Sequence, residues 1–90
     1  MKKIKISVTG RVQGVGFRHM TKVTADRLGI QGFAKNTADG SVYIEAAGKP
    51  ESIAEFIEAV KKSPAPMGKV VGFSVEETED IESIKGFKVR

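Results

Sequence analysis

Cysteine is absent from this sequence, and histidine occurs once, at position 19. That excludes disulfides, thiolate metal sites, a cysteine nucleophile and an all-histidine metal centre. No apolar run approaches the ~20 residues of a membrane-spanning helix. Met1-Lys2-Lys3 leads straight into an alternating segment rather than into the apolar core of a signal peptide. Acids crowd together only between Glu76 and Glu82, which reads as a solvated loop. Elsewhere no acidic cluster suggests a metal cage or a carboxylate dyad, and no Ser-His-Asp arrangement can be read. These absences accord with a cytoplasmic protein that works without a metal.

What is present is an ordinary globular composition. Ninety residues, 40% hydrophobic and 29% charged, suffice for a single domain, residues 1–90, around one core. The net charge of +4 is uneven. Residues 1–45 carry eight Lys/Arg against three acids, whereas residues 46–90 carry seven against eight. The basic half would steer a small anion, or a nucleic acid, toward itself.

Periodicity sets the elements. Ile4, Ile6 and Val8 alternate with Lys5, Ser7 and Thr9, the pattern of a half-buried strand over 4–9. Phe17, Met20, Thr24, Ala25 and Leu28 share a helical face, and Gly29 follows as a C′ cap. A second strand spans 30–36, weakened by Gly32. Asp39-Gly40 then signals a hairpin into a third strand over 41–47, with Val42, Ile44 and Ala46 on one face. Pro50 opens a second helix with the stripe Ile53, Phe56, Ile57, Val60, a core-packing pattern. Pro64 and Pro66 follow it. A fourth strand over 69–76 places Val71, Phe73 and Val75 together, and Phe87 and Val89 make a short terminal strand. The order β-α-β-β-α-β plus that strand is the split plan of the ferredoxin-like α+β sandwich. It predicts an antiparallel sheet with both helices on one face.

The chain is organised around Gly10-Arg11-Val12-Gln13-Gly14-Val15-Gly16-Phe17-Arg18, a glycine-rich connection from strand to helix. Backbone N–H groups at a helix start face outward and favour an anion. Glycines allow positive φ and close approach, and Arg18 adds a planar charged fork. Spacing alone leaves a second possibility, a tight turn followed by a solvated Arg18, because neither a Walker A nor a dinucleotide fingerprint is present. By the same measure His19 is a surface residue and Asn36 a strand-end residue.

Such an inventory suits few reactions. Phosphoryl transfer depends mainly on positioning and charge stabilisation. A carboxyl-phosphate anhydride releases a carboxylate of low pKa (~4), which departs without protonation. One arginine and a ring of N–H donors can then carry the phosphoryl charge. What remains is to align a water, which a neutral amide such as that of Asn36 can do.

The segment 10–18 resembles the active-site signature of the acylphosphatase family. The resemblance continues through Gly32-Phe33-Ala34-Lys35-Asn36, Asp39-Gly40 and the terminal Gly86-Phe87-Lys88-Val89-Arg90. It implies a small stand-alone enzyme that hydrolyses acyl phosphates, a monomer with no metal and no cofactor. Arg18 matches the family's phosphate-binding arginine, and Asn36 the asparagine that orients the attacking water. Gln13, Gly14, Val15, Gly16 and Phe17 match the loop whose amides hold the phosphate. In the family, the substrate's phosphate is thought to take the water's proton. Departures fall at Phe33, where tryptophan is common, at His19, where an aromatic is frequent, and at Ser63-Pro64, where Gly-Pro is usual.

Three other functions share parts of this pattern. Acylphosphatase-like domains occur within larger carbamoyl-transfer maturation proteins. A non-catalytic phosphate-binding module would need Arg18 but not Asn36. RNA-recognition domains have the same element order but use exposed aromatics on the two central strands. Here the first strand has none and the third has only Tyr43.

Overall fold

The computed structural model describes residues 1–90. The alternating apolar residues of the first segment lie in β1 (Lys2–Arg11), and α1 (Phe17–Leu28) follows the glycine-rich loop. Next come β2 (Gln31–Asn36), β3 (Val42–Gly48), α2 (Pro50–Lys61), β4 (Lys69–Glu77) and β5 (Phe87–Val89). Gly29 takes the left-handed conformation after α1, and the amides of Gly29 and Ile30 close the helix onto Asp26 and Ala25. Pro50 sits in the first turn of α2, as its fixed φ favours.

The sheet order is β4-β1-β3-β2-β5. β3 pairs antiparallel with β1 and β2, and β1 pairs antiparallel with β4, so the first crossover leaves one strand between β1 and β2. α1 packs over β2 and β5, α2 over β3 and β1, and the helices touch each other on that shared face. Ile4, Ile6, Val8, Val42, Ile44 and Ala46 form the floor of the core. Phe17 and Ala25 descend from α1, and Ile53, Phe56 and Val60 from α2. Full burial stabilises each large aliphatic or Phe side chain by about 1.5–3 kcal/mol. The Phe56 and Phe87 rings meet nearly edge to face at 6.0 Å.

The structure departs from the sequence-based expectations in four places. β5 joins the sheet parallel to β2, pairing Gly32 with Phe87 and Ala34 with Val89, so the sheet is mixed at that edge. On β4, Val71 does not share the inner face with Phe73. β1 advances from Thr9 to Gly10 while β4 advances from Gly72 to Val70, leaving Val71 as the extra residue of a β-bulge, 76% exposed. Val70 takes the inward place instead. On α1, Thr21 is fully buried, whereas Met20 and Leu28 only flank the core.

The fourth departure is the acidic stretch. β4 includes Glu76, as expected, but runs on through Glu77, and the two pair with Lys5 and Lys2 of β1. Residues 78–86 then cross from one edge of the sheet to the other. The Thr78 amide donates to the Lys3 carbonyl, the Glu82 amide to Glu45 Oε1, and the Gly32 amide to the Gly86 carbonyl. The segment is thus a strap whose hydrogen bonds touch β1, β3 and β2 in turn.

Thr21 is the one buried side chain whose polar atom has no hydrogen-bond partner. An unpaired hydroxyl in the core costs about 1–3 kcal/mol. Thr21→Val is therefore expected to raise the unfolding free energy by about 1 kcal/mol in urea titration. A fall in stability would mean that the hydroxyl does have a partner.

Candidate active site

β1 delivers the loop at the end of the sheet, and buried Phe17 anchors the start of α1 in the core. Gly14 and Gly16 hold φ of +76° and +80°, and a Cβ at either would meet nothing within 4 Å. Glycine is therefore required here by backbone conformation and not by lack of room. Gly16 is also the N-cap of α1, with no side-chain cap, and no acid lies in the first turn. The first backbone bond into the helix runs from the Met20 amide to the Gly16 carbonyl, and the amides of residues 13–19 have no acceptor within the chain. Seven consecutive backbone donors, residues 13 to 19 by count, are thus left without an acceptor in the chain.

A cavity of about 140 Å³ at the start of α1 is lined by Val12, Gly14, Gly16, Phe17, Arg18, His19 and Val89, but not by Gln13 or Val15. Arg18 is half-buried, and its Nη1 donates to the main-chain oxygen of Arg90 at 2.6 Å. Arg90 is itself fixed. Its amide donates to Ala34 at 2.8 Å, its guanidinium lies 4.2 Å from the centre of the Phe33 ring, and both its terminal nitrogens reach Glu82 at 2.9 and 3.1 Å. The hydrogen bond from Arg90 holds the Glu82 carboxyl below its usual range, and Glu82 in turn raises the Arg90 guanidinium. Arg18 retains N–H groups beyond the one engaged by Arg90.

Asn36 ends β2 and is exposed. Val42 pairs with Val8 on one side and with Asn36 on the other, which sets Asn36 about 10 Å, two strand spacings, from β1. The loop is drawn toward it by Gln13. Gln13 Nε2 donates to the Thr37 carbonyl at 2.9 Å and to the Ser41 carbonyl at 2.8 Å, the two ends of the hairpin that begins beside Asn36. Sequence reasoning placed Gln13 in the loop but gave its side chain no part; a glutamine before two glycines carries no signal of a tether to residues 37 and 41. It counted His19 among the candidate neighbours of the loop and read it as a surface residue; His19 is exposed and also lines the cavity. Arg18 and His19 point about 100° apart on the helix, yet the cavity spans the helix mouth and both line it.

Asp39 closes the same hairpin. Its Oδ1 accepts from the Ser41 amide at 3.0 Å and the Ser41 hydroxyl at 2.6 Å, and also from the Thr37 hydroxyl. Hydrogen bonds from Ser41, then Thr37, lower its pKa from 3.8 to about 2. No group of three or more His, Cys, Asp or Glu side chains stands together as a metal ligand set. No helix is long and apolar enough to cross a membrane.

The fold defines a small α+β sandwich with acceptor-free amides and an arginine at the start of its first helix. The acylphosphatase family model matches residues 4–89. An acylphosphatase of Enterococcus faecalis is 45% identical over 99% of this chain and 98% of its own length. The crystal structure of acylphosphatase from Bacillus subtilis superposes with a TM-score of 0.93 at 40% identity, covering 100% of this chain and 99% of that one. T. kodakarensis HypF contains a similar unit, with a TM-score of 0.85 at 30% identity over 100% of this chain but 12% of its own. The chain belongs to the acylphosphatase family, and as a member it is an acyl phosphate hydrolase.

The Asp39 network yields a pH-dependent outcome. Its folded-state pKa is depressed, so its contribution to stability is complete above about pH 4, shrinks as pH falls toward 2 and vanishes below that. Asp39→Asn is expected to be less stable than the parent at pH 7, with the difference closing between about pH 4 and 2 in denaturant titrations. A difference independent of pH would assign the loss to the substitution's geometry instead of to the carboxylate's charge.

Proposed function

We propose that the phosphoryl group of an acyl phosphate sits on the amides of Gln13, Gly14, Val15, Gly16 and Phe17 with Arg18 closing over it. Asn36 holds the attacking water. The observation that carries this reading is the run of acceptor-free amides at the mouth of the cavity that Arg18 lines. The hydrogen bond from Arg18 to Arg90 supports a preset guanidinium, which costs little reorganisation when the anion arrives. The Gln13 tether supports a fixed offset between the cradle and the end of β2.

The water oxygen forms a bond to phosphorus as the bond from phosphorus to the acyl oxygen breaks. The electron pair departs on the carboxylate, and the water's proton passes to a phosphoryl oxygen. No general acid is needed for so weak a base, and no metal is needed where amides and a guanidinium meet the equatorial oxygens. The same reading makes the protein a cytoplasmic monomer acting on a small molecule, its whole site drawn from one chain as a single domain. It assigns no nucleic-acid partner. Lys2, Lys3 and Lys5 are paired with Glu77, Glu79 and Glu76, and Tyr43 donates its hydroxyl to Glu45 instead of standing free for a base. Burial, then that hydrogen bond, pushes the Tyr43 hydroxyl above its ordinary range.

Two substitutions separate the roles. Arg18→Gln is expected to weaken inhibition by inorganic phosphate and nearly abolish turnover of benzoyl phosphate. Asn36→Ala should leave the phosphate Ki largely unchanged while kcat falls on the order of 10²–10³. A folded Asn36→Ala enzyme with near-normal kcat would reduce Asn36 to a strand-end residue.

Inorganic phosphate should inhibit competitively and raise the melting temperature of the parent, because only the folded state has the cradle. Activity should survive EDTA. Loss in EDTA with recovery in Mg²⁺ would overturn the metal-free mechanism.

A further inference from the structure

We infer that His19 is a leaving-group contact: its imidazole donates a hydrogen bond to the carboxylate that departs as the phosphorus–oxygen bond breaks. This rests on the phosphoryl group occupying the amide cradle. Of the side chains that line the cavity, only those of Arg18 and His19 are polar; Val12, Phe17 and Val89 are aliphatic or aromatic. Arg18 is held by Arg90 and, in the proposed reaction, is already given to the phosphoryl group. His19 is exposed and forms no ion pair, and the cation one turn on, Lys22, is itself engaged by Asp26 at 2.7 Å. An acyl phosphate seated with its phosphoryl end on the amides must direct its acyl end out of the cavity. At that mouth His19 is the one side-chain donor not already assigned.

The chemistry gives this position a use. In the ground state the bridging oxygen carries little charge. As the bond to phosphorus breaks, the electron pair moves onto the carboxylate, while the new bond forms from the water and the proton goes to phosphate. His19 gains and loses no proton in this step. Its hydrogen bond strengthens only as charge develops, so it acts on the transition state more than on the bound substrate or on inorganic phosphate. Asn36, on β2, does not line this cavity, and in-line displacement puts the water and the leaving oxygen on opposite sides of phosphorus.

The test uses benzoyl phosphates substituted on the ring, whose carboxylates differ in basicity but not in shape near the reacting bond. For His19→Ala, kcat/KM should fall roughly 10-fold with the most basic leaving group and less with the most acidic. The dependence of rate on carboxylate basicity therefore steepens, with the phosphate Ki unchanged within about twofold. His19→Gln, which keeps an N–H donor, should restore much of the parental slope. An unchanged slope in His19→Ala overturns the inference, whether or not the overall rate falls, and so does a raised phosphate Ki, which would place His19 on the phosphoryl group. Failure of the parent enzyme to bind phosphate, or indifference of that binding to Arg18→Gln, would instead remove the cradle assignment on which the inference stands.

Discussion

Two left-handed glycines hold this site open. With Gly14 and Gly16 at positive φ, the loop cannot fold its amides back onto its own carbonyls, and α1 begins without a side-chain cap. In most helices a serine or aspartate oxygen would satisfy these donors. Here they have no acceptor within the chain, and the residues around the loop hold it in place. Phe17 pins the helix start in the core, Gln13 ties the loop to the neighbouring hairpin, and the main-chain oxygen of Arg90 receives Arg18.

Scaffold and site use charge differently. On β1 the lysines meet glutamates of β4 and of the strap, and those exposed pairs contribute little individually. They neutralise the lysine-rich strand. No Asp or Glu side chain lies within ion-pair distance of Arg18. The hydrogen-bond partner of Arg18 within the chain is the main-chain oxygen of Arg90, so the loop's arginine is held by the backbone and not by an acidic side chain.

Most of the fold was legible in the sequence because period and punctuation agree there. Ile4, Ile6 and Val8 alternate, the α2 stripe repeats at helical spacing, and Gly29, Pro50 and Asp39-Gly40 mark boundaries. The bulge at Val71 was not legible, because a bulge shifts the alternation without leaving a residue that announces it. Nor was the parallel pairing of β5, since three residues carry no direction of their own. For the candidate site, the glycine loop and Arg18 could be read from local chemistry. The Gln13 tether and the strap depend on distant segments meeting, and no local pattern encodes them.

The strap has a mechanical consequence. β5 reaches β2 through a connection anchored on β1, β3 and β2, and the bonded residues lie far apart in sequence. The oxygen that receives Arg18 arrives with that last strand. The strap therefore couples the position of the Arg18 guanidinium to pairing at the far edge of the sheet, so that loosening that edge would also release the guanidinium.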